Sequence, residues 1–235
     1  TGPFAHCGIR WGLTGTVPKA DYEFMGLKCS IGDVTHRIQA SELQDKGVLA
    51  NCHVNVLQTQ DHPMFKTYAE ELKWLTTDKV RMKWVADTIK DISTSGNTLI
   101  LVDRISAGQI LQEQLEGSVF VSGSTKNIDR KEQYDEVSTA TNKIIIATYG
   151  VASVGINIPR IFNLVLIEPG KSFVRVIQSI GRGIRKAKDK ENVQIWDITS
   201  SCKFAKRHLG ARKKFYKEAN YPYNIEKVNY ENPYT

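Results

Sequence analysis

The sequence predicts an α/β fold built on a doubly wound, mostly parallel sheet with helices on both faces. Two continuous apolar runs, Thr98–Val102 and Asn163–Ile167, have the length and composition of strands that are buried on both faces. Strand-like and helix-like segments alternate around them, and strands joined by helical crossovers form a right-handed parallel sheet. Ligands of such sheets bind beyond the carboxyl ends of the strands, so we expect the functional residues there.

The composition bounds the number of domains and the class of partner. A chain of 235 residues with 41% hydrophobic residues can form one large or two small domains with a proper core. The net charge of +7 favours a polyanionic partner. The four cysteines form no C-x-x-C pair, which indicates free thiols in a reducing compartment and argues against a zinc site. Because no apolar run reaches about 18 residues and no signal peptide is visible, we expect a cytoplasmic protein with no membrane partner.

The first element is a short strand-like run, Gly8–Leu13, that ends in Thr14, Gly15 and Thr16. Taken alone, a T-G-T tripeptide after a strand is an ordinary turn. The residues that follow predict a short helix at Ser41–Lys46, which Gly47 stops, and then a strand within Val48–Leu57.

The next segment contains one clear helix. Residues 61–77 are polar and aromatic and favour no element. Lys79–Ile92 is amphipathic, with its apolar positions at helical spacing. These positions are Val80, Trp84, Val85, Thr88 and Ile92.

The main block begins at Asn97 and repeats a strand and a helix. The strand Thr98–Val102 leads into a helix that carries Ile110, Leu111 and Leu115. Further strands are predicted at Val119–Val121, Lys143–Ala147, Asn163–Ile167 and Val193–Ile198, with helices near Ile128–Val137 and near Val151. The strand ends expose Arg104 after the first strand and Ser122 with Gly123 after the second.

The strand end at Thr148 carries chemistry suited to a nucleotide or a phosphate. Its hydroxyl can bond a phosphate oxygen, and the amides of the helix that follows favour anions. Gly155 permits a close backbone approach, while Asn157 presents an amide suited to a ribose hydroxyl. Read in isolation, the same residues form a glycine-containing loop with an Asn turn.

The segment Ser172–Lys186, SFVRVIQSIGRGIRK, contains the strongest candidate residues. Wound as a helix with Ser172 as N-cap, it forms an apolar stripe beside a polar stripe. The apolar stripe is Val174, Ile177, Gly181 and Ile184, and the polar stripe is Arg175, Gln178, Arg182 and Arg185. A guanidinium can hold phosphate oxygens by two bonds and stabilise charge on a γ-phosphate. The alternative is a basic helix edge with solvated arginines.

The tail from Cys202 to Tyr223 predicts a basic helix. Its aromatic stripe, which we expect to pack on the domain, is Phe204, His208, Ala211 and Phe215. The surrounding lysines and arginines are either solvated or bind DNA. His208 is interpreted as a packing residue because no second ligand lies near it in sequence.

Two of these segments together resemble the motifs of superfamily 2 helicases and translocases. The segment Q-x-x-G-R-x-x-R from Gln178 to Arg185 is similar to the final signature motif of that family. The segment A-T-x-x-x-x-x-G-x-N from Ala147 to Asn157 is similar to the motif that precedes it. Most of the chain then resembles the second RecA-like lobe, and the order of its segments is most similar to phage recombination and repair helicases of the UvsW type.

The resemblance implies a role for each candidate residue. Gln178, Arg182 and Arg185 are implied to be catalytic, and Gly155, Asn157 and Gly181 to bind ATP. Thr14, Gly15 and Thr16 would couple the two lobes. The residues implied to contact nucleic acid are Arg104, Ser122, Gly123, Lys126, Thr148 and Tyr149. No metal ligands are expected in this chain, because ATP and Mg²⁺ would be held mainly by the first RecA-like lobe.

The sequence therefore predicts the C-terminal part of an ATP-dependent DNA helicase that is inactive as an ATPase alone. Residues 1–20 are interpreted as a remnant of the first lobe and 21–60 as the passage between lobes. Residues 61–200 are interpreted as the second lobe and 201–235 as a basic helical tail. The expected partners are nucleic acid, single-stranded or branched DNA, and the first lobe. The alternative is a non-catalytic nucleic-acid-binding module with the same fold.

Overall fold

The computed structural model describes residues 12, 21–35, 51–123, 141–153, 160–170, 176–177 and 192–230. The chain divides into two compact units, Thr1–Gln39 and Ala40–Thr235. In the first unit the structure describes one helix, α1, at Asp21–Ile31. All the other elements belong to the second unit. No helix in the described ranges is long and apolar enough to span a membrane.

The second unit is built on a seven-stranded sheet whose described strands all pair in parallel. Their order across the sheet is β3-β4-β2-β5-β6-β1-β7. The strands are β1 (Asn51–Thr59), β2 (Thr98–Val102), β3 (Val119–Val121), β4 (Ile144–Thr148), β5 (Asn163–Ile167), β6 (Asn192–Ser200) and β7 (Tyr223–Val228). The predicted parallel α/β fold is therefore confirmed.

Five described helices accompany the sheet. They are α2 (Tyr68–Thr77), α3 (Lys79–Ser93), α4 (Ile105–Gln114), α5 (Tyr149–Ser153) and α6 (Lys203–Glu218). No element was predicted for the residues of α2, yet a capping box starts this helix. The Thr67 side chain accepts from the Glu70 amide, and the Glu70 side chain accepts from the Thr67 amide. Asp78 then caps α3 by accepting from the Arg81 amide at 3.0 Å.

The central strands are buried on both faces, as their continuous apolar sequence predicts. Leu99 and Leu101 on β2 point to one face, into a core shared with α6. Ile100 and Val102 point to the other face and pack against α3 and α4. Val176 and Ile177, the described residues of the arginine segment, are helical and buried in the same core as α6.

The structure corrects the buried side of α3. Val80, assigned to the apolar stripe, is exposed, and its neighbour Arg81 is fully buried. The remaining core side chains of α3 are Met82, Val85, Ala86, Ile89 and Ile92. An arginine occupies this stripe because carboxylates and carbonyl oxygens surround it at the carboxyl edge of the sheet.

The tail differs from its predicted pattern in two ways. The buried side of α6 consists of Ala205, His208, Leu209, Arg212 and Tyr216, so the predicted stripe is rotated, and Ala211 is exposed. The burial of His208 confirms its packing role, and its ring meets Tyr68 edge-on at 4.8 Å. After α6 the chain adds β7 beside β1, an edge strand with mostly exposed side chains that the sequence analysis did not predict.

Candidate functional site

The carboxyl edge of the sheet brings together several residues predicted from the sequence. Val102 of β2 pairs with Thr148 of β4, and Val121 of β3 pairs with Ala147 of β4. The strands β3, β4 and β2 are neighbours, so Ser122, Thr148 and Arg104 lie in consecutive positions along one edge. Neighbouring strands of a sheet are about 4.8 Å apart, so these three residues lie close together along the edge.

Thr148 is the last residue of β4, and its hydroxyl already holds the start of α5. The Val151 amide donates to Thr148 Oγ1 at 3.4 Å, so the hydroxyl acts as the cap of this five-residue helix. The hydroxyl hydrogen remains able to donate to a second oxygen. Thr148 is half-buried, with that side chain at the carboxyl edge.

Tyr149 is tied to the sheet. Its hydroxyl donates to the Ile167 carbonyl oxygen at 3.0 Å and links the end of β4 to the end of β5. Burial raises the pKa of this tyrosine well above its usual value, and the charge of Asp197 raises it further. Because the hydroxyl is engaged with the backbone, the contacts of Tyr149 in this structure are structural ones.

Arg104 lies at the surface, and its contacts with other described residues are long. It precedes α4, and its guanidinium is 3.5 Å from Asp103 Oδ2 and 3.5 Å from the Ala69 carbonyl oxygen. On the neighbouring part of the edge, Ser122 is buried and Gly123 is exposed. A Cβ added at Gly123 would have no atom within 4 Å.

The remaining predicted site residues lie outside the described residues. These are Thr14, Gly15, Thr16, Lys126, Gly155, Asn157, Gln178, Gly181, Arg182 and Arg185. Their roles stay predictions. Described residues stand next to two of these segments in the sequence. The helix α5 ends at Ser153, shortly before Gly155, and the buried Ile177 immediately precedes Gln178.

The structure reveals a buried ion pair that the sequence analysis missed. Arg81 Nη2 lies 2.7 Å from Glu168 Oε1, and both side chains are buried. Glu168 follows β5 directly and has a φ of 43°, a left-handed conformation that is uncommon for a residue other than glycine. Burial raises the pKa of the Glu168 carboxyl to about 7, although the charges of Arg81 and Arg212 lower it.

Polar groups from three strands complete the surroundings of this pair. Thr59 Oγ1 lies 3.3 Å from Arg81 Nε, and the Thr199 hydroxyl donates to Glu168 Oε2 at 3.3 Å. The Asp61 carboxylate lies 3.7 Å from Arg81 Nε and accepts from the Tyr230 hydroxyl at 2.6 Å. The network joins the carboxyl ends of β1, β5 and β6 and holds the chain at the point where it leaves β5 toward the arginine segment.

A second buried network lies between β6 and α6. Arg212 binds Asp197 with two bonds, Nε to Oδ2 at 2.7 Å and Nη2 to Oδ1 at 3.0 Å. The Tyr216 hydroxyl donates to Asp197 Oδ2 at 2.8 Å. Burial lowers the pKa of Arg212, but the charge of Asp197 more than compensates and raises it above its usual value. This triad fastens the tail helix to the sheet.

The described residues do not offer a metal site. Across the ranges that the structure describes, no group of three His, Cys, Asp or Glu side chains could hold a metal ion.

Comparison with known proteins supports the interpretation of the two motifs. Residues 81–187 match the model of the helicase conserved C-terminal domain. The chain is 26% identical over 221 residues to the ATP-dependent DNA helicase uvsW of Enterobacteria phage T4, covering 89% of this chain and 44% of the relative. It is 32% identical over 213 residues to putative helicase 22 of a Sulfolobus islandicus filamentous virus, covering 81% of this chain and 37% of the relative.

A solved structure has a similar fold. The crystal structure of T4 UvsW superposes with a TM-score of 0.66 at 22% identity, covering 76% of this chain and 42% of the other. The chain spans less than half the length of both curated relatives.

Proposed function

We propose that this chain is the C-terminal part of an ATP-dependent DNA helicase or translocase. Its residues 81–187 are a helicase conserved C-terminal domain, which is the second RecA-like lobe of a superfamily 2 helicase. The observation that carries the proposal is that the matched range includes both the strand-end motif and the arginine motif. The parallel sheet supports the proposal, since β3, β4 and β2 are neighbours and their carboxyl ends, where ligand contacts are expected, lie at one edge. The enzyme would unwind, branch-migrate or anneal DNA, in recombination and repair.

The carboxyl edge supplies the contacts to nucleic acid in this proposal. The Thr148 hydroxyl donates to a phosphate oxygen, Arg104 offers a cation at the surface, and the Ser122–Gly123 turn offers a close backbone approach. Lys126 is proposed to contact the same phosphates, and Tyr149, proposed for the same surface, holds the end of β4 beside Thr148 through its bond to the Ile167 carbonyl oxygen. These groups contact phosphates rather than base edges, so binding is independent of sequence.

The arginine segment supplies charge stabilisation for ATP hydrolysis. Arg182 and Arg185 contact the γ-phosphate as charge develops on it, and Gln178 orients the reacting groups. Gly155, Asn157 and Gly181 line the nucleotide from this side. ATP and Mg²⁺ are held mainly by the first RecA-like lobe, the principal partner of this chain, and Thr14–Thr16 couples the two lobes. A phage-encoded enzyme of this kind would act in the host cytoplasm.

An ATPase assay tests whether ATP hydrolysis requires the first RecA-like lobe as well as this one. The purified chain should hydrolyse ATP negligibly with or without DNA, because arginines alone cannot position β- and γ-phosphates. The enzyme that joins this lobe to its first RecA-like lobe should show DNA-stimulated turnover. Robust turnover by the chain alone, or none by the two-lobed enzyme, would refute the proposal.

A salt titration tests the nucleic-acid surface. With about three to five phosphate contacts, log affinity should fall with log salt at a slope of about 2 to 4. Thr148→Ala should weaken DNA binding more than ATP binding, and Arg185→Ala should do the reverse. Fluorescence anisotropy of labelled single strands and forked duplexes measures both. Affinity independent of salt, or strong discrimination between two unrelated sequences, would contradict backbone recognition.

A further inference from the structure

The tail helix α6 carries cations along its whole surface side. These cations are Lys203, Lys206, Arg207, Lys213, Lys214 and Lys217, of which Lys213 is half-buried and the others are exposed. We call this set the α6 stripe. The only acidic residue of the helix is Glu218 at its end, 3.9 Å from Lys214. The stripe therefore has almost no compensating charge from its own helix.

The α6 stripe lies opposite the side by which the helix is anchored. At about 100° per residue, the stripe is centred about half a turn from the buried side, which includes Leu209, Arg212 and Tyr216. Gly210 lies in the middle of the stripe, and a Cβ added there would have no atom within 4 Å. The bond pair between Arg212 and Asp197 fixes the rotation of the helix and so directs the stripe outward.

One end of the stripe is held against aromatic rings. Lys203 Nζ lies 5.5 Å and the Arg207 guanidinium carbon 5.7 Å from the centroid of the half-buried Phe204 ring. Tyr68 packs against the same ring at 6.3 Å between centroids. Because α6 follows directly after β6, this end lies at the carboxyl edge of the sheet, the edge that carries Arg104 and Thr148. The start of the stripe therefore lies at the same edge as the residues proposed to contact nucleic acid.

The length of the stripe fits a stretch of duplex. From Lys203 to Lys217 a helix rises about 21 Å. This is about six base-pair steps at 3.4 Å each. A membrane surface fits less well, because an interfacial helix presents large apolar side chains beside its cations. None of the large exposed apolar side chains in the described residues belongs to α6.

We propose that the α6 stripe binds the phosphate backbone of a nucleic-acid duplex, as a contact surface additional to Arg104, Thr148 and the Ser122–Gly123 turn. The inference rests on the proposed function in one respect, that the chain works on nucleic acid. It adds a place on the lobe for a duplex arm and a set of residues that hold it. Since lysines contact phosphates as point charges, this surface contributes affinity and no base preference.

The test compares two triple variants of equal charge in the full chain. The stripe variant is Lys206→Gln, Lys214→Gln and Lys217→Gln, since glutamine keeps the helix propensity of lysine. The control variant is Lys79→Gln, Lys83→Gln and Lys90→Gln, three exposed lysines of α3 on the opposite face of the sheet. Both remove three positive charges, so long-range electrostatics change equally. Anisotropy of a labelled forked duplex is measured across a salt series, with circular dichroism to verify the fold.

The contacts of the carboxyl edge alone predict a slope of about 2 to 4, and three stripe contacts to duplex at about 0.9 each should add about 2 to 3 to it in the wild type. The stripe variant should lose that added part. The control should keep the wild-type slope, and replacement of the same three stripe lysines by arginine should retain binding. A stripe variant that binds like the control would overturn this inference while leaving the helicase assignment intact. A wild-type chain with no salt-dependent binding at all would overturn both.

Discussion

Glu168 should make the stability of the fold depend on pH, and Glu168→Gln should remove that dependence. The carboxyl is buried at the end of β5, where burial raises its pKa from the usual 4.5 to about 7. Glutamine has nearly the same shape, still accepts from Arg81 and cannot ionise. The substitution therefore isolates the titration of one group.

The sign and size follow from the direction of the shift. Below about pH 4.5 the carboxyl is protonated in both the folded and the unfolded chain, so its full stabilising contribution is present. As the pH rises toward 7, the unfolded chain ionises freely while the buried carboxyl resists, and the free energy of unfolding falls. The difference between a pKa of 4.5 and one of about 7, at about 1.4 kcal/mol per pH unit, predicts a loss of about 3 kcal/mol. The side chain is only 5% exposed, so solvent screening does not reduce this value.

The assay is urea unfolding followed by circular dichroism from pH 4.5 to 8. Relative to Glu168→Gln, the wild type should lose about 3 kcal/mol across this range. Glu116→Gln removes an equal charge at an exposed position and is the matched control. Parallel stability curves for the wild type and Glu168→Gln would refute the reasoning, since they would mean that Arg81 keeps the carboxylate ionised throughout.

Three further predictions concern packing and charge. Arg212→Leu should lower the free energy of unfolding by about 3–5 kcal/mol, because Asp197 would stay buried without its bidentate partner. A double variant with Asp197→Leu should recover most of this loss in urea titrations, and an equal loss in both would contradict the ion-pair explanation. Gly96→Ala should cost about 1–3 kcal/mol, since its φ is 146° and a Cβ would lie 2.9 Å from Phe162 Cβ. Gly210→Ala, in the open interior of a helix, should raise stability by about 1 kcal/mol in the same assay, and a loss there would be unexpected.

The central strands were predictable because burial on both faces leaves an unambiguous pattern. Asn163–Ile167 forms a strand with the predicted bounds, and Thr98–Val102 does the same. No polar side chain interrupts either run apart from its first residue, so the apolar pattern and the length of the run both indicate a buried strand. The alternation of strands with helices then left few arrangements other than a parallel sheet.

The two buried arginines were not predictable from the hydrophobic pattern. Arg81 and Arg212 stand in helices whose other cations are exposed or half-buried, so a search for apolar stripes passes over them. Their partners, Glu168 and Asp197, lie near the carboxyl ends of neighbouring strands. A signal was present: acidic residues in or directly after apolar strands require cations nearby, and only the fold shows which arginine supplies them.

The edge of the domain was hard to predict for a different reason. The strand Tyr223–Val228 has mostly exposed side chains, so no buried alternation marks it. Its pairing with β1 is a backbone interaction that leaves little trace in the side-chain sequence. The helix at Tyr68–Thr77, in contrast, has a signal in the sequence. This signal is the capping box of Thr67 and Glu70, which a search for caps would have found.

The measurement that tests the central claim most directly is the ATP turnover of the enzyme that joins this lobe to its first RecA-like lobe, assayed with saturating DNA. Arg185→Ala and Arg182→Ala should each lower the turnover number by about 10³-fold or more, the scale of a lost arginine finger. Lysine at either position should rescue poorly, because an ammonium cannot make the bidentate contact. The neighbouring Lys186→Ala serves as the control and should stay near the wild-type rate. Unchanged turnover in both alanine variants, with a normal circular dichroism spectrum, would contradict the account.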